Sequence, residues 1–283
     1  MDYQNRLPKE GINTTQVHPL KQFVQLAIVA LILVMMLIVV LQYTGAALAK
    51  HIPFSLELQV MEKLDLPLGS EESAPEMALY LNKLGQRLSQ HMPIPEGMKV
   101  VTHYSSDDLF NAFATVGGNL IFYKGLLSRL PNENSLAMVL AHEISHVLHR
   151  DPMATLGGGV VSTVALLGLT GNAGTGMAGK VLSNAGMLTG VQFTRRMEEV
   201  ADFEALAAVN SLYGHINGAA DLFVLLKESR DSLDKTLAWT EHFISTHPPY
   251  DDRIDDIAMR AQAEGWHENG PLTPLPAEFM NWL

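Results

Sequence analysis

From Phe23 to Leu41 the chain reads FVQLAIVALILVMMLIVVL, with Gln25 as its one polar side chain. As a helix rising about 1.5 Å per residue, this run just spans a hydrocarbon core of roughly 30 Å. A soluble helix this apolar would need apolar neighbours on every side, so the run reads as a membrane span over residues 23–42. Ala47 and Ala49 satisfy the small-x-small pattern of a signal-peptidase site. The run is nevertheless longer than a usual signal core, and a polar leader of about twenty residues precedes it, which favours an uncleaved anchor. Arg6, Lys9, His18 and Lys21 lie before the span, while Lys50 alone follows it closely. The excess of positive charge places the amino terminus in the cytoplasm and the rest of a single-pass protein on the periplasmic side of an inner membrane.

The chain has no cysteine, which excludes disulfides and cysteine-ligated metals. A net charge of −11 argues against nucleic-acid binding, which calls for a basic surface. With 47% hydrophobic residues there is ample material for a core outside the span.

The remaining chain divides as a tail over 1–22, a turn-rich linker over 43–74, a domain over 75–262 and a proline-punctuated extension over 263–283. Within the domain, Glu76 to Gln90 has apolar residues at helical spacing, Met77, Leu81, Leu84 and Leu88. Lys99 to Tyr104 and Gly117 to Tyr123 read as strands, and Asn134 to Arg150 and Thr194 to Asn210 as helices. Residues 155–193 are apolar but laced with glycine; Leu156 to Leu169 is short for a crossing, so two packed or interfacial helices are expected.

The chemistry centres on Ala141-His142-Glu143-Ile144-Ser145-His146. Residues four apart share a helix face, so His142 and His146 can present imidazoles to one metal ion. Glu143 lies beside them, where it can act on a water rather than on the metal. Neutral imidazole suits zinc, which in catalytic sites is tetrahedral with one open position. The surrounding helix is apolar at Leu136, Val139, Leu140, Ile144, Val147 and Leu148, which puts the pair in a buried or cleft-like setting. A third ligand from a second helix is needed. Glu198 and Asp202 share a face there and Glu199 points elsewhere, so Glu198 can reach the metal while Asp202 accepts a hydrogen bond from a ligating histidine.

Four motifs occur in order: Asn111-Ala112-Phe113-Ala114 leading to Gly117-Gly118, the His142 to His146 helix, Glu198 to Asp202, and Ser245-Thr246-His247-Pro248-Pro249 followed by Arg253-Ile254. In these the chain resembles the HExxH gluzincin family of the CAAX prenyl endopeptidases and HtpX-like proteases, and is closest in layout to the periplasmic BepA- and LoiP-like members. The resemblance implies an α+β, mostly helical zincin-like domain with a small antiparallel sheet, preceded by one transmembrane helix. It implies one zinc per chain, held by His142, His146 and Glu198, with Glu143 as catalytic base and Asp202 behind the ligands. By the same resemblance His247 sits near the fourth position, either as oxyanion donor or as a cap on the zinc, and Arg253 anchors its loop. Gly117, Gly118 and Asn119 would border the cleft, with the free edge of their strand pairing with an extended substrate.

These readings describe a membrane-anchored metalloendopeptidase acting on proteins or peptides, in the setting of envelope protein quality control. The lipid bilayer is contacted through residues 23–42. Two rivals are a polytopic protease with a cytoplasmic site, which needs residues 155–193 to cross the membrane, and a non-proteolytic assembly factor with structural zinc. Glu143 argues against the second, since a structural site needs no base beside an open position. Oligomeric state carries no sequence signal.

Overall fold

The computed structural model describes residues 19–64, 74–159, 193–231, 241–247 and 253–283. The first helix, α1 (Pro19–Ala49), has 31 residues and contains a window of mean hydropathy 3.2 with none of it buried. Among the described residues it is the one helix long and apolar enough to cross a membrane. At about 1.5 Å per residue it is roughly 46 Å long, so its last turns project beyond a span over 23–42. Only Ala49 in α1 is buried. The next helix, α2 (Phe54–Leu64), follows after a short turn. The expected linker over 43–74 is therefore largely helical up to Leu64. The turn residues Pro67, Gly69 and Ser70 behind the linker reading lie outside the described residues.

The domain is built on α3 (Pro75–Ser89), a three-stranded sheet of β1 (Val101–Ser105), β2 (Ala112–Thr115) and β3 (Asn119–Tyr123), the short α4 (Lys124–Leu127), and α5 (Glu133–Leu148). Then come α6 (Arg195–Tyr213), α7 (Asp221–Asp231), α8 (Glu241–Thr246), α9 (Arg253–Glu264) and α10 (Phe279–Trp282). Helix α5 is buried from Glu133 to Val147 because nearly every face is apolar, so it forms the centre of the core. The side chain of Asn132 caps it, accepting from Ser135 N at 2.8 Å. Helix α6 packs against α5; Thr194 caps its start, and Gly214, at φ 79°, ends it in the left-handed conformation.

The sheet is mixed, which corrects the expected antiparallel one. Its order is β1-β3-β2, with β3 antiparallel to β2 and parallel to β1. Strands β2 and β3 form a hairpin, and β3 inserts between β2 and β1; both neighbours of β2 in sequence then run the same way. Both edges of β3 are hydrogen-bonded within the sheet, so the expected free edge for substrate does not exist there. The hairpin turn explains the glycines instead. Gly117 and Gly118 have φ of 74° and 76°, and a Cβ at Gly118 would collide with the Lys99 carbonyl.

The extension over 263–283 packs on the domain. Phe279 is buried, Tyr104 OH donates to the Leu283 carbonyl at 3.0 Å, and Glu133 N donates to Thr273 O at 2.9 Å.

Candidate metal centre

Helix α5 carries His142, Glu143 and His146, the first two turns of α6 carry Glu198 and Asp202, and the end of α8 delivers His247. Polar contacts outside the cluster also set α5 against α6: Ser145 Oγ donates to Glu204 Oε2 at 2.6 Å, His149 Nε2 lies 2.8 Å from Glu204 Oε1, and Tyr213 OH donates to Glu133 Oε1 at 2.9 Å. Helix α8 is tied to the first motif by Thr246 Oγ1, which donates to Asn111 Oδ1 at 3.3 Å. The four motifs thus converge in space.

His142, His146, Glu198 and His247 are all buried, and one donor atom from each lies within 4.8 Å of every other. The nearest separations are 3.1 Å between the Nε2 atoms of His142 and His146, and 3.4 Å from His142 Nε2 to His247 Nδ1. Glu198 Oε1 lies 3.1 Å from His247 Nδ1 and 3.4 Å from His146 Nε2. Donors about 2.0–2.1 Å from a shared zinc at tetrahedral angles stand roughly 3.3–3.4 Å apart. These four separations are close to the edges of such a tetrahedron.

The outward nitrogens support the same reading. His142 Nδ1 is 3.0 Å from Asp202 Oδ1, His146 Nδ1 is 3.0 Å from Asp151 Oδ2, and His247 Nε2 is 3.3 Å from the Ala112 carbonyl. Asp151 and the Ala112 carbonyl accept there, which puts the proton of His146 and of His247 on the outward nitrogen and turns a lone pair inward. His142 Nδ1 faces Asp202 at ion-pair distance without hydrogen-bond geometry, and its Nε2 faces the cluster. Three inward nitrogens and a carboxylate call for a cation. Glu143 is fully buried, and neither of its carboxylate oxygens has a hydrogen-bond partner among the described residues. Its Oε1 stands 3.4 Å from His247 Nε2.

Burial opposes the charged form of His146, but hydrogen bonds to Asp151 and Glu198 outweigh it and push the imidazole up to about 10. His142 is raised in the same sense: burial lowers it, and Asp202 and Glu198 more than compensate. Glu198 is held well below the usual carboxylate range; burial would raise it, but the charge of His247 and the contacts of His142 and His146 prevail. Asp202 is likewise lowered against its burial, chiefly by Arg253. Arg253 Nε donates to Asp202 Oδ2 at 2.9 Å and its Nη1 to Glu198 Oε2 at 3.2 Å, while its guanidinium lies 4.2 Å from the centre of the Phe223 ring.

The structure thus brings together His142, Glu143, His146, Glu198, Asp202, His247 and Arg253. Gly117, Gly118 and Asn119 are not among the donors: the Gly117 backbone bonds Glu57, Gly118 lies against Lys99 and Phe54, and the Asn119 side chain bonds Val116 and His103. Asp151 was not apparent from the sequence; it lies five residues beyond His146, past the helix end, where no helical spacing rule applies. The aromatic packing was also missed: Phe193 stacks on His146 at 3.9 Å and Phe243 on His247 at 4.8 Å.

Residues 75–261 match the family model Peptidase family M48. The chain belongs to peptidase family M48. M48 enzymes are zinc metallopeptidases, and the buried His-His-Glu-His group fits one such ion. The mitochondrial metalloendopeptidase OMA1 of Schizosaccharomyces pombe is 28% identical over 203 residues, covering 69% of this chain and 58% of that protein. The β-barrel assembly-enhancing protease of Escherichia coli K12 is 30% identical over 204 residues, 66% of this chain and 39% of that protein. A protease HtpX homolog of Desulfatibacillum aliphaticivorans is 28% identical over 240 residues, 71% of this chain and 75% of that protein. The chain thus spans little more than half of the first of these M48 relatives and well under half of the second.

Proposed function

We propose that this chain is a zinc endopeptidase of the cell envelope, anchored in the inner membrane by α1 and acting in protein quality control on the periplasmic side. The observation that carries the reading is the buried four-donor cluster with the Glu143 carboxylate beside it, which makes no hydrogen bond among the described residues. Names of relatives that speak of metalloendopeptidase and β-barrel assembly-enhancing protease support the setting.

His142, His146 and Glu198 would hold the zinc, which when bound supplies Lewis acidity to a water and to the scissile carbonyl. Glu143 takes the proton of the attacking water and later gives it to the leaving amine. Asp202 orients His142, and Arg253 keeps Asp202 and Glu198 charged in a buried place where unpaired carboxylates would be costly. His247 caps the fourth corner. Its Nδ1 stands at ligand-to-ligand distance from Glu198 and His142, so it must withdraw before water and substrate can enter. His247→Ala is expected to keep its zinc, because three ligands remain, and to show higher basal peptide cleavage. A fall in kcat of roughly 10²-fold would instead make His247 an oxyanion donor.

The side of the membrane is part of the same proposal. Helices α5 and α6 contribute to one site and so lie together on one side of any membrane. On this reading α1 crosses once, and the domain lies on the face opposite its amino terminus. The polytopic reading thus puts the site in the cytoplasm only if the amino terminus lies outside. A reporter fused after Leu283 is expected to behave as exported; cytoplasmic behaviour would reverse the assigned orientation.

A further inference from the structure

Each histidine on α5 is backed by a carboxylate, and each carboxylate by a cation. For His142 the chain is Asp202 and then Arg253, all from the domain. For His146 it is Asp151 and then Lys50, whose Nζ donates to Asp151 Oδ1 at 3.0 Å. Lys50 is the residue that follows α1, so the second cation comes from the foot of the membrane anchor.

The surrounding geometry holds this connection in place. After α5 the chain turns at Arg150, which adopts φ 61°, a left-handed conformation rare for a residue with a side chain. Its guanidinium reaches the turn between α1 and α2, donating to the Ile52 carbonyl at 2.6 Å and to Glu57 at 3.1 Å. A helical segment over 151–159 then runs back along the end of α1. Met153 packs with Ala49, a Cβ on Gly157 would meet Gly45 and Ala49, and one on Gly158 would meet Gln42 and Ala46. Asp151 is thus held between the anchor and the metal-facing helix, with its side chain 3% exposed.

Resting on the zinc-peptidase reading above, we propose that Asp151 is a positioning residue for His146 and that Lys50 holds it there, so that docking of the anchor on the domain sets how tightly the site retains zinc. Asp151 fixes the ring with Nε2 turned inward. Lys50 neutralises the otherwise buried carboxylate, so Asp151 can stay ionised and aimed at Nδ1.

The test is zinc affinity, measured by chelator competition on the full chain in lipid nanodiscs, with the visible spectrum of the cobalt-substituted protein as a second readout. Wild type must bind one metal per chain; if it binds none, the zinc-peptidase reading fails rather than this proposal. Asp151→Ala is expected to weaken zinc binding by about 10- to 100-fold, as loss of an outer partner of a ligating histidine does, and to alter the cobalt spectrum. Lys50→Met, at a site with 38% side-chain exposure and so little risk to folding, is expected to weaken binding about three- to fivefold, with Lys50→Arg restoring it. Wild-type affinity and spectrum in Asp151→Ala would overturn the positioning role. If that variant fails to fold, Lys50→Met decides: unchanged affinity there overturns the link to the anchor.

Discussion

Glu198→Ala is expected to lose zinc and activity together, whereas Glu199→Ala keeps both. The two side chains are neighbours in sequence but lie on different faces of α6. Glu198 is fully buried, with its oxygens 3.1–3.5 Å from the three histidines of the cluster. Among the described residues Glu199 pairs with Arg195, one turn back, with 38% of its side chain exposed, and exposed pairs of this kind contribute little. Removing Glu198 deletes the sole anionic donor in the cluster and leaves Arg253 without one of its partners. The loss of zinc affinity should exceed the roughly 10- to 100-fold that an outer-partner change costs. Metal analysis after dialysis separates the two variants. If Glu199→Ala were the one to lose metal, the assignment of the α6 face would be wrong.

Much of the site was legible because its chemistry obeys local spacing. His142 and His146 share a face of α5, as do Glu198 and Asp202 on α6, and helical periodicity alone pairs them. The long α3 and α6 were also readable, since one face of each is apolar and buried. What could not be read depends on tertiary placement. The pairing of Lys50 with Asp151 joins residues 101 positions apart, across a turn that only Arg150 in a left-handed conformation completes. Strand β2, four residues all buried, shows no alternation and so no strand signal. The order of the sheet was hidden for a related reason: a hairpin can be inferred from Gly117-Gly118, but which strand becomes central depends on where β1 docks. Helix α2 was obscured because Glu57, which it buries, is a carboxylate whose burial its contacts with Arg150 and the Gly117 backbone explain. The expected helices of 155–193 fall outside the described residues beyond 159.

The arrangement also separates two tasks that an exposed site could not. Burial of His142, His146 and Glu198 keeps the donors dry, which strengthens their hold on a cation. It also makes each donor depend on a partner, because an unpaired buried charge is costly. Asp202 with Arg253 and Asp151 with Lys50 supply those partners. Glu143 differs from them: it is buried with no hydrogen bond to either oxygen among the described residues, and its contact is His247 at 3.4 Å, which fits the proposed role of acting on water rather than on the fold.

The central claim, that Glu143 activates water at a zinc held by its neighbours, is tested most directly by one paired measurement. Zinc per chain and cleavage of an unstructured protein such as casein are read on the same preparations of wild type and Glu143→Gln. The amide has the shape of the carboxylate but cannot accept the proton of the water. The variant is therefore expected to hold one zinc per chain, as wild type does, while cleavage falls by at least the roughly 10²- to 10⁴-fold that a general base contributes. Cleavage by Glu143→Gln equal to that of wild type, or wild-type cleavage that persists with no zinc bound, would contradict the account.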